Sequence, residues 1–270
     1  MQVPQHSKDI GVSFPTSQIL LITLQRGEFS MMNNAMQQEL STLMQWYDRE
    51  PSLRCAIMTG NGRGFCVGAD LKEWLAMKAA NPNANDPDLV GGFGGVSRRK
   101  GKKPLIAAVN GMCLGGGMEM AVNCDLVVAS ERAVFGTPEV KRGVFAKMGA
   151  IGRLVRYLGL QRASELLLTG ADISPQTAMQ WGLVNRVVAH DKLMDTAMSF
   201  ANQICANSPD SVIVSRTGML AAMEHGSLER STQVHNESAE VALLESGENI
   251  REGLAAFKEK RETRWKDSKL

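Results

Sequence analysis

The sequence predicts an α/β core followed by an all-helical C-terminal region. Three observations carry that prediction. Short apolar runs end at glycine-bearing turns, helix-like segments with apolar residues three and four apart lie between them, and from Asp191 onward almost everything reads as helix. The boundary is placed between residues 190 and 191, giving a core over 1–190 and a helical region over 191–270. In chain order, Ile19–Leu24 reads as a strand. A helix from Asn34 to about Glu50 follows, its face marked by Met36, Leu40, Leu43, Met44 and Tyr47. Cys55–Thr59 and Leu105–Val109 are further strands, each ending at a glycine that opens a helix-like segment. Leu126–Ala129, Ala133–Phe135 and Val184–Val188 add short strands, with helices around Gly152–Leu158, Arg162–Thr169 and Pro175–Trp181 between the last two. In the tail, Ser208-Pro209 marks a break. The segment Asn81–Lys103 combines Pro82, Pro87, Gly91–Gly95 and the cations Arg98, Arg99, Lys100, Lys102 and Lys103, which predicts a mobile loop. Its charge run reads either as a solvated face or as a phosphate or nucleic-acid contact.

Composition narrows the function classes. In 270 residues, 30 Lys+Arg against 28 Asp+Glu leave a formal charge of +2, so no strong global field recruits nucleic acid or an anionic membrane. The apolar runs Leu105–Val109 and Met219–Met223 fall far short of the roughly 18 residues of a membrane span. Met1–Lys8 lacks the basic and apolar regions of a secretory signal, which predicts a protein that stays inside the cell. Five cysteines without a CxxC pair read as buried free thiols, not as a disulfide framework or zinc site.

Gly60-Asn61-Gly62-Arg63-Gly64 follows a strand, but Phe65 stands where a dinucleotide fingerprint needs its third glycine. Walker A, GxSxG and HExxH patterns are absent, and the four histidines are scattered. Two glycine-bearing strand-to-helix turns remain: Gly68-Ala69-Asp70 after Phe65-Cys66-Val67, and Gly115-Gly116-Gly117 after Met112-Cys113-Leu114. Each leaves backbone N–H groups unpaired at a helix start, and two such donors converging on one point make an oxyanion hole. Taken singly, each turn reads equally as a tight turn that glycine permits. Glu119 lies close to one helical turn past Gly116, and Glu139 follows Pro138. Facing one pocket, they would be an acid/base pair whose repulsion separates their roles; as isolated residues they would be caps or surface groups.

These motifs, in this order, resemble the enoyl-CoA hydratase/isomerase (crotonase) superfamily. The likeness covers most of the chain: Ile19–Leu24, Arg63–Leu71, Gly115–Glu119, Pro138-Glu139, Gly182-Leu183-Val184 and Ala256–Arg261. It implies a ββα-superhelix spiral core, a C-terminal helical trimerisation region, a homotrimer or hexamer, and a coenzyme A thioester substrate. By the same resemblance, the N–H groups of Ala69 and Gly116 hold the thioester oxygen while Glu119 and Glu139 handle water and the α-proton. Met31, Val67, Ala69, Asp70 and Leu71 would approach the coenzyme, joined by Phe257 and Lys260 from a neighbouring subunit. No metal is implied, and no cofactor beyond the coenzyme A of the substrate. Possession of both glutamates favours hydration or dehydration of an enoyl-CoA/3-hydroxyacyl-CoA pair. Double-bond isomerisation, or a non-catalytic or RNA-binding relative supported by the Arg98–Lys103 cluster, stays open.

Two departures stand out. Phe145-Ala146-Lys147-Met148-Gly149-Ala150 replaces a small glycine-rich turn, so Lys147 either points to solvent or sets a charge beside the acyl pocket. Ser30-Met31-Met32 replaces the usual Asn-Ala-Leu. The terminal Ser268-Lys269-Leu270 matches the tripeptide read by the peroxisomal import receptor, which predicts a peroxisomal matrix protein. Fatty-acid β-oxidation is one expected setting. A specialised route such as fungal siderophore synthesis, in which a family hydratase dehydrates mevalonyl-CoA, is the other, and Lys147 favours it.

Overall fold

The computed structural model describes residues 1–81 and 89–270. The 82–88 part of the expected mobile loop lies outside the described residues. Large-sheet strands are β1 (Ile10–Thr16), β2 (Ile19–Leu24), β3 (Cys55–Gly60), β5 (Leu105–Val109), β7 (Leu126–Ser130) and β10 (Arg186–Val188), ordered β1-β2-β3-β5-β7-β10. A smaller sheet, ordered β4-β6-β8-β9, takes β4 (Gly64–Cys66), β6 (Met112–Leu114), β8 (Val134–Gly136) and β9 (Asp172–Ile173). The helices are α1 (Asn34–Arg49), α2 (Leu71–Ala80), α3 (Gly116–Ala121), α4 (Ala150–Leu158), α5 (Leu160–Thr169) and α6 (Pro175–Gln180). The tail adds α7 (Leu193–Cys205), α8 (Pro209–Glu224), α9 (Leu228–Asn236), α10 (Ala239–Ser246) and α11 (Glu248–Glu259).

The pairings β2–β3–β5–β7–β10 and β4–β6–β8 are parallel, while β1/β2 and β8/β9 are antiparallel. Parallel neighbours need a crossover. The crossover from β2 to β3 holds α1 alone, whereas those that leave β3, β5 and β7 each include a short second strand: β3, β5 and β7 go to the large sheet, and β4, β6 and β8, which follow them, go to the small one. Repetition of that step is the ββα spiral.

Covered faces explain the composition of these strands. Cys55, Ile57, Ile106, Ala108 and Val128 point to one side of the large sheet, where they meet Leu193, Ala197 and Ala201 of α7. Ala56, Met58, Ala107, Val109 and Val127 point to the other, into a core shared with Leu40, Leu43 and Tyr47 of α1. Strands buried on both faces read as continuous apolar runs. The first helix of the expected C-terminal region therefore packs as part of the core. Helix α1 starts where expected because the Asn33 side chain accepts the Met36 N–H.

Three expectations are corrected. Residues 261–270 form no helix: Lys260 adopts φ +54° and ends α11. The tail then lies on the body, with Arg54 donating to the Trp265 carbonyl (3.2 Å) and Trp265 Nε1 to the Ala206 carbonyl (2.9 Å). The 89–103 stretch is packed, with Phe93, Val96 and Ser97 buried. Its cations are not all a solvated face. Arg99 is buried and pairs with Asp48, and Lys103 is buried and donates to the Tyr47 and Glu50 carbonyls. Strands β1 and β9 are elements the sequence does not announce: only Ile10 of the seven residues of β1 is buried, and β9 has two residues, so neither carries an apolar period. Among the described residues, no helix is long and apolar enough to cross a membrane.

Candidate active site

Because β4, β6 and β8 are adjacent and parallel, the segments leaving their C-terminal ends emerge on one side of the small sheet. They are Val67–Asp70, Gly115–Gly117 and Thr137–Glu139. Neighbouring backbone fixes the first turn: Met32 N–H donates to the Gly68 carbonyl (3.0 Å), the Met32 carbonyl accepts from Asp70 N–H (2.8 Å), and Cys66 Sγ accepts from Gly68 N–H (3.3 Å). Gly68 has φ +96°, and a Cβ built on it would lie 3.1 Å from Gly116 N, so the two glycine turns are in contact. Gly117 is dictated by close approach, since its Cβ would stand 2.0 Å from the Cys66 carbonyl oxygen. Among the described residues, neither Ala69 N–H nor Gly116 N–H donates to a protein acceptor. The structure thus brings together the two donors that the sequence singled out.

Glu119 is in the first turn of α3 and only 3% exposed. Its Oε1 accepts from Met148 N–H (2.8 Å) and Ala150 N–H (3.3 Å). Burial pushes its pKa up to about 7; Glu139 pushes the same way, while the two amides and Arg153 oppose. Glu139 sits in the 3₁₀ helix Pro138–Arg142, with Oε1 3.4 Å from the Cβ position of Gly115. Its other oxygen, Oε2, is buried and has no hydrogen-bond partner among the described residues. Burial raises this carboxyl too. Two carboxyls raised by burial beside two free N–H donors suit proton exchange with a substrate whose charge collects on the donors, and Glu119 at about 7 is poised for it near neutral pH.

The remaining expected contacts divide. Met31 and Leu71 are exposed, and Val67 is half-buried. The Asp70 carboxylate is already occupied: it caps α2 through Lys72 N–H (3.0 Å) and pairs with Arg26 (2.8 Å), which holds it below the usual carboxylate range. Arg26 also donates to the Met31 carbonyl (3.1 Å), so it ties these two segments together. Phe257 and Lys260, by contrast, lie at the end of α11, with Phe257 87% exposed. Among the described residues, no hydrogen bond or ion pair joins either to the glycine turns. Lys147 is exposed.

Sequence reasoning missed the groups that hold Glu119. The Met148 and Ala150 amides lie 29 and 31 positions from it. Ser97 Oγ accepts from Phe93 N–H (2.9 Å) and donates to the Met148 carbonyl (2.7 Å), and the Phe93 ring covers Gly116. The sole sequence signal was the unusual Phe145–Ala150 stretch.

The chain is similar to known proteins along nearly its whole length. The family model described as Enoyl-CoA hydratase/isomerase matches residues 15–268. Mevalonyl-coenzyme A hydratase of Beauveria bassiana is 47% identical, over 99% of this chain and 98% of its own. The mevalonyl-coenzyme A hydratase of Aspergillus fumigatus is 48% identical, over 96% and 95%. Among solved structures, enoyl-CoA hydratase from Mycobacterium tuberculosis superposes with a TM-score of 0.87 at 32% identity, covering 97% of this chain and 100% of that one.

Proposed function

Because the chain belongs to the enoyl-CoA hydratase/isomerase family and its relatives over nearly the full length are hydratases, we propose that it interconverts a 3-hydroxyacyl-CoA and its α,β-enoyl-CoA, acting on a branched, hydroxylated acyl group of the mevalonyl class. The observation that carries the reaction is the contact between the two glycine turns, with Glu119 and Glu139 beside them. The acyl class is supported by the names of the two fungal relatives.

In the hydrating direction, one glutamate takes a proton from water as its oxygen bonds to Cβ. The π electrons move toward the thioester, where the Ala69 and Gly116 N–H groups hold the oxyanion. The other glutamate delivers a proton to Cα, and net addition is one water. Dehydration runs the same steps backward. Neither step changes oxidation state overall, so coenzyme A of the substrate is the sole cofactor in this reading, and turnover should survive exhaustive chelation.

The decisive experiment follows the ultraviolet absorbance of the conjugated enoyl thioester with crotonyl-CoA and with a branched, hydroxylated enoyl-CoA. Turnover should favour the second substrate and fall by about 10²–10⁴ in Glu119→Gln/Glu139→Gln. Near-normal rates in that variant would remove the acid/base assignment, and a preference for crotonyl-CoA would remove the acyl class.

The same reading places Met31, Val67, Asp70 and Leu71 at the coenzyme, with Asp70 contributing backbone because its carboxylate is engaged. It makes the protein a homotrimer or hexamer in which Phe257 and Lys260 reach a neighbouring chain's coenzyme. The exposure of Phe257 supports this. A peroxisomal matrix location through Ser268-Lys269-Leu270 completes it, and a fluorescent fusion should lose peroxisomal targeting when that tripeptide is removed. A siderophore route is the setting these assignments favour.

A further inference from the structure

We propose that Arg153, held by Asn123, is a positioning residue that fixes the 148–150 turn against Glu119 and sets a positive charge beside it. This assignment rests on the acid/base reading of Glu119 given above.

The Met148 and Ala150 amides that hold Glu119 belong to an irregular turn in which Gly149 has φ +124°. A turn of this kind keeps its amides aimed only if its carbonyls are also tied. Ser97 Oγ donates to the Met148 carbonyl (2.7 Å), and Arg153 Nη1 donates to the Gly149 carbonyl (3.2 Å). Arg153 Nε in turn donates to Asn123 Oδ1 (2.6 Å). Asn123 Nδ2 reaches the carbonyls of Val96 (2.6 Å) and Arg99 (3.1 Å), which fixes the amide in place. Asn123 lies just past the end of α3, the helix that bears Glu119. The contacts therefore close a ring: Glu119, the turn, Arg153, Asn123 and back along α3.

Charge gives a second, independent reason. Arg153 is half-buried, and its hydrogen bonds go to a carbonyl and an amide oxygen, not to a carboxylate. Among the described residues it makes no ion pair, and a partly desolvated cation in that state is costly unless an anion elsewhere compensates. Of the ionisable groups that act on it, Tyr157 comes first, Arg98 opposes, and Glu119 is the carboxylate. Among the described residues, the other titratable group acting on Glu119 is Glu139 of the 3₁₀ helix, and Arg98 and Tyr157 act on Arg153. Lys147 of the turn is exposed, and Arg156 and Tyr157 lie further along α4. Burial and Glu139 push the Glu119 pKa up, and Arg153 is the cation that opposes them.

The test is a carbon-13 titration of glutamate-labelled full-length protein, with Glu119→Gln identifying the signal, beside steady-state kinetics and thermal midpoints. In Arg153→Gln, the Glu119 midpoint should move up by about half a pH unit or more. Its kcat should fall about tenfold while KM for the thioester stays close to wild type. Arg153→Lys should restore most of the midpoint. A Glu119 midpoint unmoved in folded Arg153→Gln overturns the proposal. Should that variant not fold, Asn123→Ala, which keeps the guanidinium but frees it, is read the same way: a smaller upward move supports the assignment, and none rejects it. If the wild type lacks hydratase turnover while the midpoint still moves, the acid/base reading fails and takes the catalytic sense of the assignment with it, although Arg153 still acts on Glu119.

Discussion

At Glu119, burial that serves the chemistry also costs stability. An unfolded-chain glutamate titrates near 4.3, whereas burial puts this one at about 7. Between those values the folded state binds the extra proton, so this group's contribution is most favourable below the unfolded pKa and is lost as pH rises through the folded one. Glu119→Gln should therefore be more stable than wild type at pH 8, by about 1–3 kcal/mol, with the gain gone at pH 4. Thermal unfolding at the two pH values measures it, and a gain of equal size at both would mean that the carboxyl is not desolvated. Glu119 itself stood out in the sequence because it lies close to one turn past Gly116 in a segment that resembles the family's. Its partners did not, because hydrogen bonds to amides 29 and 31 positions away leave no local pattern.

Among the elements, the 89–103 segment shows how a charge run misleads. In sequence, five cations beside glycines and prolines look solvated, yet Arg99 meets Asp48 from α1, 51 positions earlier. The guanidinium also lies over the Tyr47 ring at 5.4 Å. Asp48→Ala would leave Arg99 buried and unpaired, a loss of about 3–5 kcal/mol. Urea unfolding should show that loss, and a change below about 1 kcal/mol would indicate that the pair behaves like an exposed one. The 261–270 tail teaches the same lesson. Its apparent helicity yields to buried polar groups: Asn249 holds both Lys266 backbone groups (2.9 and 3.1 Å) and donates to Asp210 (2.8 Å), and Ser268 also donates to Asp210. By contrast, α1 was legible to within a residue because both its apolar face and its Asn33 cap are local.

Across the whole molecule, α9, α10 and α11 bury few side chains within one chain, and Leu228, Leu243 and Leu254 are exposed. If these faces meet other copies, sedimentation will give three or six chain masses, and Leu254→Glu will lower that mass. A wild-type single-chain mass would remove the trimer or hexamer assignment. The sequence by itself determined the α/β core, its β-turn-α repeat and the two glycine turns, since each rests on periodicity or spacing over a few residues, while the two glutamates stood out through the family resemblance. Tertiary structure alone decided that β4, β6 and β8, three residues each, leave the large sheet to form a second one. Strands that short carry no readable period, and only parallel pairing between segments far apart in the chain could align their ends. That alignment sets Gly68 against Gly116, Glu139 against Gly115, and a turn from beyond residue 145 against Glu119.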